Sequence, residues 1–220
     1  MYKFSFAIVA LATVLATGSV LAANKLSPQP QGAEAAFVLH MQADLLQRFP
    51  TTAAAEKAGY FRYTNEDDTG SISYANLQWT SADARHPSQL WYDVHGNLLG
   101  ADFSQPGGPN APTLWGVNPA RWQDFRAHVH YLSVDASGKT IYGHATTVKK
   151  FVAAGGDLNN PQATTITKMG LVSNGNSVAR VFLFPHVWDL IVWVMPNPNG
   201  AFADKNPLVI PSASAETGNM

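Results

Sequence analysis

The sequence contains no cysteine. Disulfide bonds, a thiolate nucleophile and the cysteine-rich kind of zinc site are therefore excluded. Charge is also scarce: 14 basic and 15 acidic residues among 220 give a net charge of -1. The charges are scattered singly, and no basic stripe is present to follow a phosphate backbone, which sets aside nucleic acid as a partner. Beyond the first residues, long apolar runs are missing. The longest candidate, FLFPHVWDLIVWVM, is broken by Pro185, His186 and Asp189. It falls short of the roughly 20 apolar residues of a membrane helix and reads as a pair of buried strands. There is no Gly-x-Ser-x-Gly elbow, dinucleotide fingerprint or His-Glu-x-x-His. The glycines of QPGGPN lack the lysine and helix start of a phosphate loop, so serine hydrolysis and nucleotide chemistry are disfavoured.

What is present begins with MYKFSFAIVALATVLATGSVLAAN, where Lys3 precedes an apolar run from Phe4 to Ala16 and then small residues. This is the pattern of a secretory signal peptide over residues 1–22, cut after Ala22 or Ala23. The expectation is an exported, soluble protein with no transmembrane segment in its mature chain. Roughly 195 residues bury an adequate core without disulfides, which fits a bacterial periplasm better than a small extracellular module. Residues 23–32 read as a flexible lead-in, 33–210 as one domain and 211–220 as a disordered tail.

Within the domain, AEAAFVLHMQADLLQRF places Phe37, Met41 and Leu45 on one helical stripe, widened by Val38, Leu46 and Phe49. Pro50 stops it, and Thr51 or Thr52 caps a short second helix that Gly59 closes. The period then changes to that of strands: YFRYT, SISYANLQW, and the hairpin QLWYDVHGNLLGADF, turned by Asp93 and Gly96. HYLSVDASGKTIYGHA repeats this turn with Asp135 and Gly138, and both copies carry a later glycine, Gly100 and Gly143. Over nine residues LWYDVHGNL resembles the Tyr-Asp repeats of large secreted bacterial toxins. The likeness occurs once, hairpin chemistry accounts for it, and it implies no function.

Asn118-Pro119 and Asn160-Pro161 each mark a short helix start, and TTVKKFVAAGG reads as another helix. Roughly eight strands joined by hairpins, with N-terminal and inserted short helices, predict an α+β domain with a mainly antiparallel curved sheet or partial β-barrel.

The candidate chemistry centres on RAHVHYL. In a strand, His128 and His130 share a face while Val129 and Tyr131 point away. Two imidazoles on one face can bind a divalent metal, zinc or copper, if a third ligand joins them. His144, across the Asp135 to Gly138 turn and within about one register step of His130, is the leading third ligand. His186, His40, Asp189 and Asp93 are the others. A second possibility makes His130 or His128 a general base, with Arg126 or Asp189 in support. Arg126, like Arg121, can hold an anionic ligand group or pair with an acid such as Asp124. Asp189 alternates with Ile191, Trp193 and Met195. Either it is solvated at the strand end or it lines a pocket with a raised pKa. His40 and Asp44 read as a hydrogen-bonded pair on one helical turn.

Six tryptophans, Trp79, Trp91, Trp115, Trp122, Trp188 and Trp193, can fill a core or line a pocket. The leading expectation is binding of a small ligand or metal ion in a histidine- and aromatic-lined pocket. An enzyme without an organic cofactor (lyase, isomerase or hydrolase) and a structural cell-envelope protein are the alternatives.

Overall fold

The computed structural model describes residues 27–78, 83–172 and 176–216. The expected signal peptide and Trp79 lie outside them. Helix α1 spans Ala33–Arg48 and α2 spans Thr52–Lys57, where the Thr51 side chain accepts a hydrogen bond from the Ala54 amide. Strands β1 (Phe61–Arg62), β2 (Ile72–Ala75), β3 (Gln89–Tyr92) and β4 (Leu98–Pro106) follow. A single 3-10 turn at Pro119–Arg121, capped by Asn118, leads into β5 (Gln123–Phe125). Next come β6 (His128–Val134), β7 (Thr140–Thr147), α3 (Val148–Ala153), α4 (Ala163–Lys168), β8 (Ser177–Phe184) and β9 (Val187–Trp193).

The domain is α+β and its strands pair antiparallel throughout, in a six-stranded sheet of order β1-β2-β3-β4-β9-β5 and a three-stranded sheet of order β7-β6-β8. The sheets do not close into a barrel. They face each other, and each carries helices on its outer side. On the six-stranded sheet, Leu90, Tyr92, Ala101, Phe103, Leu190 and Val192 pack against the α1 stripe of Phe37, Val38, Met41 and Leu45. On the three-stranded sheet, Val129 and Tyr131 pack against Phe151 of α3 and Ile166 of α4. Tyr63, Ala75, Leu132 and Phe182 meet between the sheets. The layers thus run helix, sheet, sheet, helix, with one inner space between the sheets.

The chain crosses between the sheets twice at one corner. It leaves β5 at Phe125 and enters β6 at His128, and it leaves β8 at Phe184 and enters β9 at Val187. The register confirms the coincidence, since His128 pairs with Phe184 and Phe125 with Val187. Pro185 falls in the second crossing, where no ladder needs its missing N–H. The FLFPHVWDLIVWVM strands are therefore consecutive but belong to different sheets.

Two helix expectations are corrected in detail. Leu46 is half exposed and does not widen the α1 stripe. Helix α4 starts at Ala163 after Gln162 rather than at Asn160-Pro161. The lead-in, from residue 27, is anchored, with Gln29 donating to the Pro198 carbonyl and Arg121 to that of Ser27. The tail, up to residue 216, is tied to Glu66: Ser212 N–H donates to its carboxylate at 2.7 Å and Glu216 N–H to its carbonyl at 2.8 Å.

Gly100 sits where β3 and β9 flank β4, opposite both Trp91 and Trp193. A Cβ there would lie 2.8 Å from the Val192 carbonyl oxygen and 3.1 Å from the Trp91 ring. Gly100→Ala is expected to destabilise the protein by about 1–3 kcal/mol, read as a lower urea midpoint with an unchanged m-value.

Candidate functional site

The inner face of the six-stranded sheet is polar where a core would be apolar. Residues directly opposite in an antiparallel pair point to one side. Asp102 is opposite Ile191 and Gln89, and Asp189 is opposite Ser104 and Gln123. Asp102 and Asp189 are thus diagonal neighbours on the same face, within reach of one another. Both are buried, at 6% and 2% exposure.

They line a cavity of about 210 Å³ between the sheets, shared with Gln89, Trp91, Trp193 and, from the facing sheet, His128 and Phe184. Asp67 and the exposed Asp204 stand at its rim. Ser88 and Ser104 hydroxyls lie 2.6 Å apart, and Ser104 donates to Oδ1 of Asp189. Tyr63 donates to Oε1 of Gln89.

Burial pushes the Asp102 carboxyl well above the ordinary carboxylate range, and the neighbouring charge of Asp189 adds to the effect against a smaller opposing contribution from the Trp91 indole. Burial also lifts Asp189 to about 6, partly offset by the Ser104 hydroxyl. Neither acid forms an ion pair among the described residues. Of the two places open to Asp189, the pocket is where it lies, and the solvated strand end is overturned. The reason is the crossing at Pro185, which turns the start of β9 inward.

The histidines occupy the facing sheet. His128 stacks on its cross-strand partner Phe184 and His130 on Phe182, with ring centroids 5.2 and 5.3 Å apart. Their Nε2 atoms are 2.8 Å apart, so they do share a face. The Nδ1 of His128 meets the Arg126 carbonyl at 2.8 Å, and that of His130 meets the His144 carbonyl at 3.3 Å. A carbonyl only accepts, so Nδ1 of His130 carries hydrogen and its Nε2 is the acceptor in the contact with His128. Burial and then the proximity of His128 hold His130 at about 3. A base so weak, with its lone pair already engaged, is poorly matched to proton abstraction near neutral pH.

His144 does not join the pair. From the Asp135 turn, Val134 pairs with Thr140 and Ser133 with Ile141, and an unbroken ladder would set His130 opposite His144. A bulge intervenes between Tyr131 and Ser133, where Gly143 adopts a φ of 79°, and His144 pairs with Tyr131 instead. One register step reverses the face. The His144 ring stacks on Tyr131, on the opposite side from His128 and His130. The structure therefore does not bring the three histidines together, and among the described residues no three His, Asp or Glu side chains group as metal ligands.

The remaining candidates are dispersed. Arg126 is exposed and lines an outer groove of about 450 Å³ that has His128 as its other ionisable wall, so its guanidinium lies outside the carboxylate cavity. Arg121 pairs with Glu34 rather than Asp124, and Asp124 takes His186. Asp44 pairs with Arg48 rather than His40, which is exposed. Asp93 serves its turn, accepting from the amides of His95 and Asn97 at 2.8 Å. Sequence reasoning missed Asp102, Gln89 and Ser104. A signal was available in LLGADFSQ, where an acid sits inside a strand among apolar neighbours, as Asp189 does in WDLIVW.

No family model, curated protein or solved structure matches this chain.

A carboxyl with a raised folded pKa binds more protons folded than unfolded. The stability it contributes is present at low pH and is lost as pH climbs from the ordinary 3.8 through about 6. Asp189→Asn removes that loss while keeping an acceptor for Ser104. It is expected to stabilise the protein on the order of 2 kcal/mol at pH 8 and to leave it unchanged near pH 3.5, as read by urea unfolding at both pH values. In the wild-type protein, nitrogen-15 NMR is expected to show His130 protonated at Nδ1 and free of titration between pH 5 and 8.

Proposed function

We propose that this chain is an exported, soluble protein, of a bacterial periplasm, that holds a small ligand in the cavity between its two sheets. One observation carries the reading: Asp102 and Asp189 are both buried at the cavity wall, and among the described residues no lysine or arginine lines it. Unpaired buried carboxyls are costly, and a fold retains them where a ligand supplies the missing partner. The aromatic walls suit the rest of such a molecule, offering apolar area with a few placed polar groups. The volume, about 210 Å³, is below the usual range for drug-sized ligands and suits a compact one.

Trp91 and Trp193 border the cavity, so occupancy is expected to change tryptophan fluorescence. A screen of small polar metabolites is expected to yield at least one that alters emission and raises Tm, with both effects at least tenfold weaker in Asp102→Asn. A ligand whose affinity ignores Asp102→Asn and Asp189→Asn would place binding elsewhere.

The two buried acids, diagonal neighbours on one face, favour a second reading, an enzyme in which one supplies a proton and the other accepts one. In that case chromogenic substrates are turned over with a rate that rises near pH 6, and Asp189→Asn abolishes the rise.

A further inference from the structure

We propose that the ligand of the inter-sheet cavity is a small organic ammonium ion, its charge seated against Asp102 and Asp189 and its alkyl surface against Trp91 and Trp193. This deepens the binding reading and rests on it.

Among the described residues the cavity is lined by four aspartates, Asp67, Asp102, Asp189 and Asp204, and by no lysine or arginine. Its remaining titratable lining residue is His128. Burial holds His130 neutral behind His128, so the acids set the sign of the lining.

Asp67 and Asp204 at the rim are satisfied by the chain itself. Thr69 and Ser71 amides donate to Asp67, and the Gln123 side chain donates to Asp204. The two inner acids are not. Asp189 takes one hydrogen bond, from Ser104 on Oδ1, and its Oδ2 is left for the cavity. Asp102, more than nine-tenths buried, has the Trp91 indole as its one side-chain hydrogen-bonding neighbour among the described residues. Two buried acids therefore face the cavity with capacity unused.

The aromatic walls choose among cations. Trp91 and Trp193 meet edge to face with centroids 5.5 Å apart, and Phe125 and Phe184 complete the lining. Aromatic faces attract a diffuse, weakly hydrated alkylammonium. A hard divalent ion instead needs six or more oxygen ligands or a tight set of three protein groups, and among the described residues no such group of three is present. The tyrosine beneath the acids does not compete: burial, then the charge of Asp102, keeps the Tyr63 hydroxyl protonated and neutral.

The test uses the full mature chain with choline, ethylammonium and calcium as cations, and 3,3-dimethylbutanol and glucose as neutral probes. Binding is read by calorimetry and tryptophan fluorescence. Choline or ethylammonium is expected to bind at least tenfold more tightly than 3,3-dimethylbutanol, the uncharged isostere of choline. Asp102→Asn and Asp189→Asn are each expected to weaken it at least tenfold, and Trp91→Leu at least threefold. The groups facing the two acids are Asp67, Asp204, Tyr63 and His128 with its partner His130. With Asp189 ionising at about 6, affinity is expected to fall about tenfold between pH 7.5 and pH 5.

Equal binding of choline and its neutral isostere overturns the cation assignment. So does binding of glucose or calcium alone with sensitivity to Asp102→Asn, although either leaves the cavity as a ligand site. No fluorescence or heat signal from any probe, in a protein shown folded by circular dichroism, overturns the ammonium assignment. If a broad metabolite screen also yields no ligand sensitive to Asp102→Asn, the binding reading fails with it.

Discussion

Two sheets joined by two short crossings at one corner must face each other at close range, and everything at the site follows from that constraint. Residues 126–127 and 185–186 are the whole length of chain available for the crossings. His128 is therefore the first residue of one sheet, paired with Phe184, the last before the return, while Asp189 lies two residues beyond the entry into the other. The corner sets opposite one another groups that are far apart in sequence. The outer faces are free to be ordinary, and they are: each is covered by helices through an apolar stripe.

The inner space is a compromise between packing and charge. At the end near Tyr63 and Phe182, aromatic rings fill it edge to face. Toward the corner, Asp102 and Asp189 keep it open, because an acid without a cation cannot be packed against hydrocarbon without neutralising. The hydroxyls of Ser88 and Ser104 anchor one side of the pair and leave the other unengaged. An apolar substitute at these positions would give a tighter sandwich.

Much of this was legible from the chain alone. The α1 stripe, the two Asp-Gly hairpin turns and the strand alternation of HVHYL rest on local rules, and the structure follows them closely. Asp135 accepts from Ser137 and Lys139 amides at 2.9 Å, as Asp93 does in the first hairpin. The candidate site was legible only in part. Asp189 stood out because it interrupts an apolar alternation, and Asp102 carries the same mark less visibly. What the sequence could not settle was parity. Counting residues from the turn pairs His130 with His144, but the bulge beside Gly143 moves His144 to the other face. A glycine in a strand announces such a bulge without locating it. The pairing of β9 with β4 and β5, rather than with its sequence neighbour β8, likewise depends on tertiary packing that no local signal encodes.

The matching turns at Asp93 and Asp135 have a kinetic meaning. One closes a hairpin in the larger sheet and the other a hairpin in the smaller, and each is specified by residues within a few positions of itself. Such hairpins form early, on local contacts, whereas β9 must wait for β4 and β5 to be in place. Docking of the sheets is then the late step, and it is also the step at which Asp102 and Asp189 lose their water. The cavity is consequently the last part of the molecule to form, complete only when the two sheets have closed on one another.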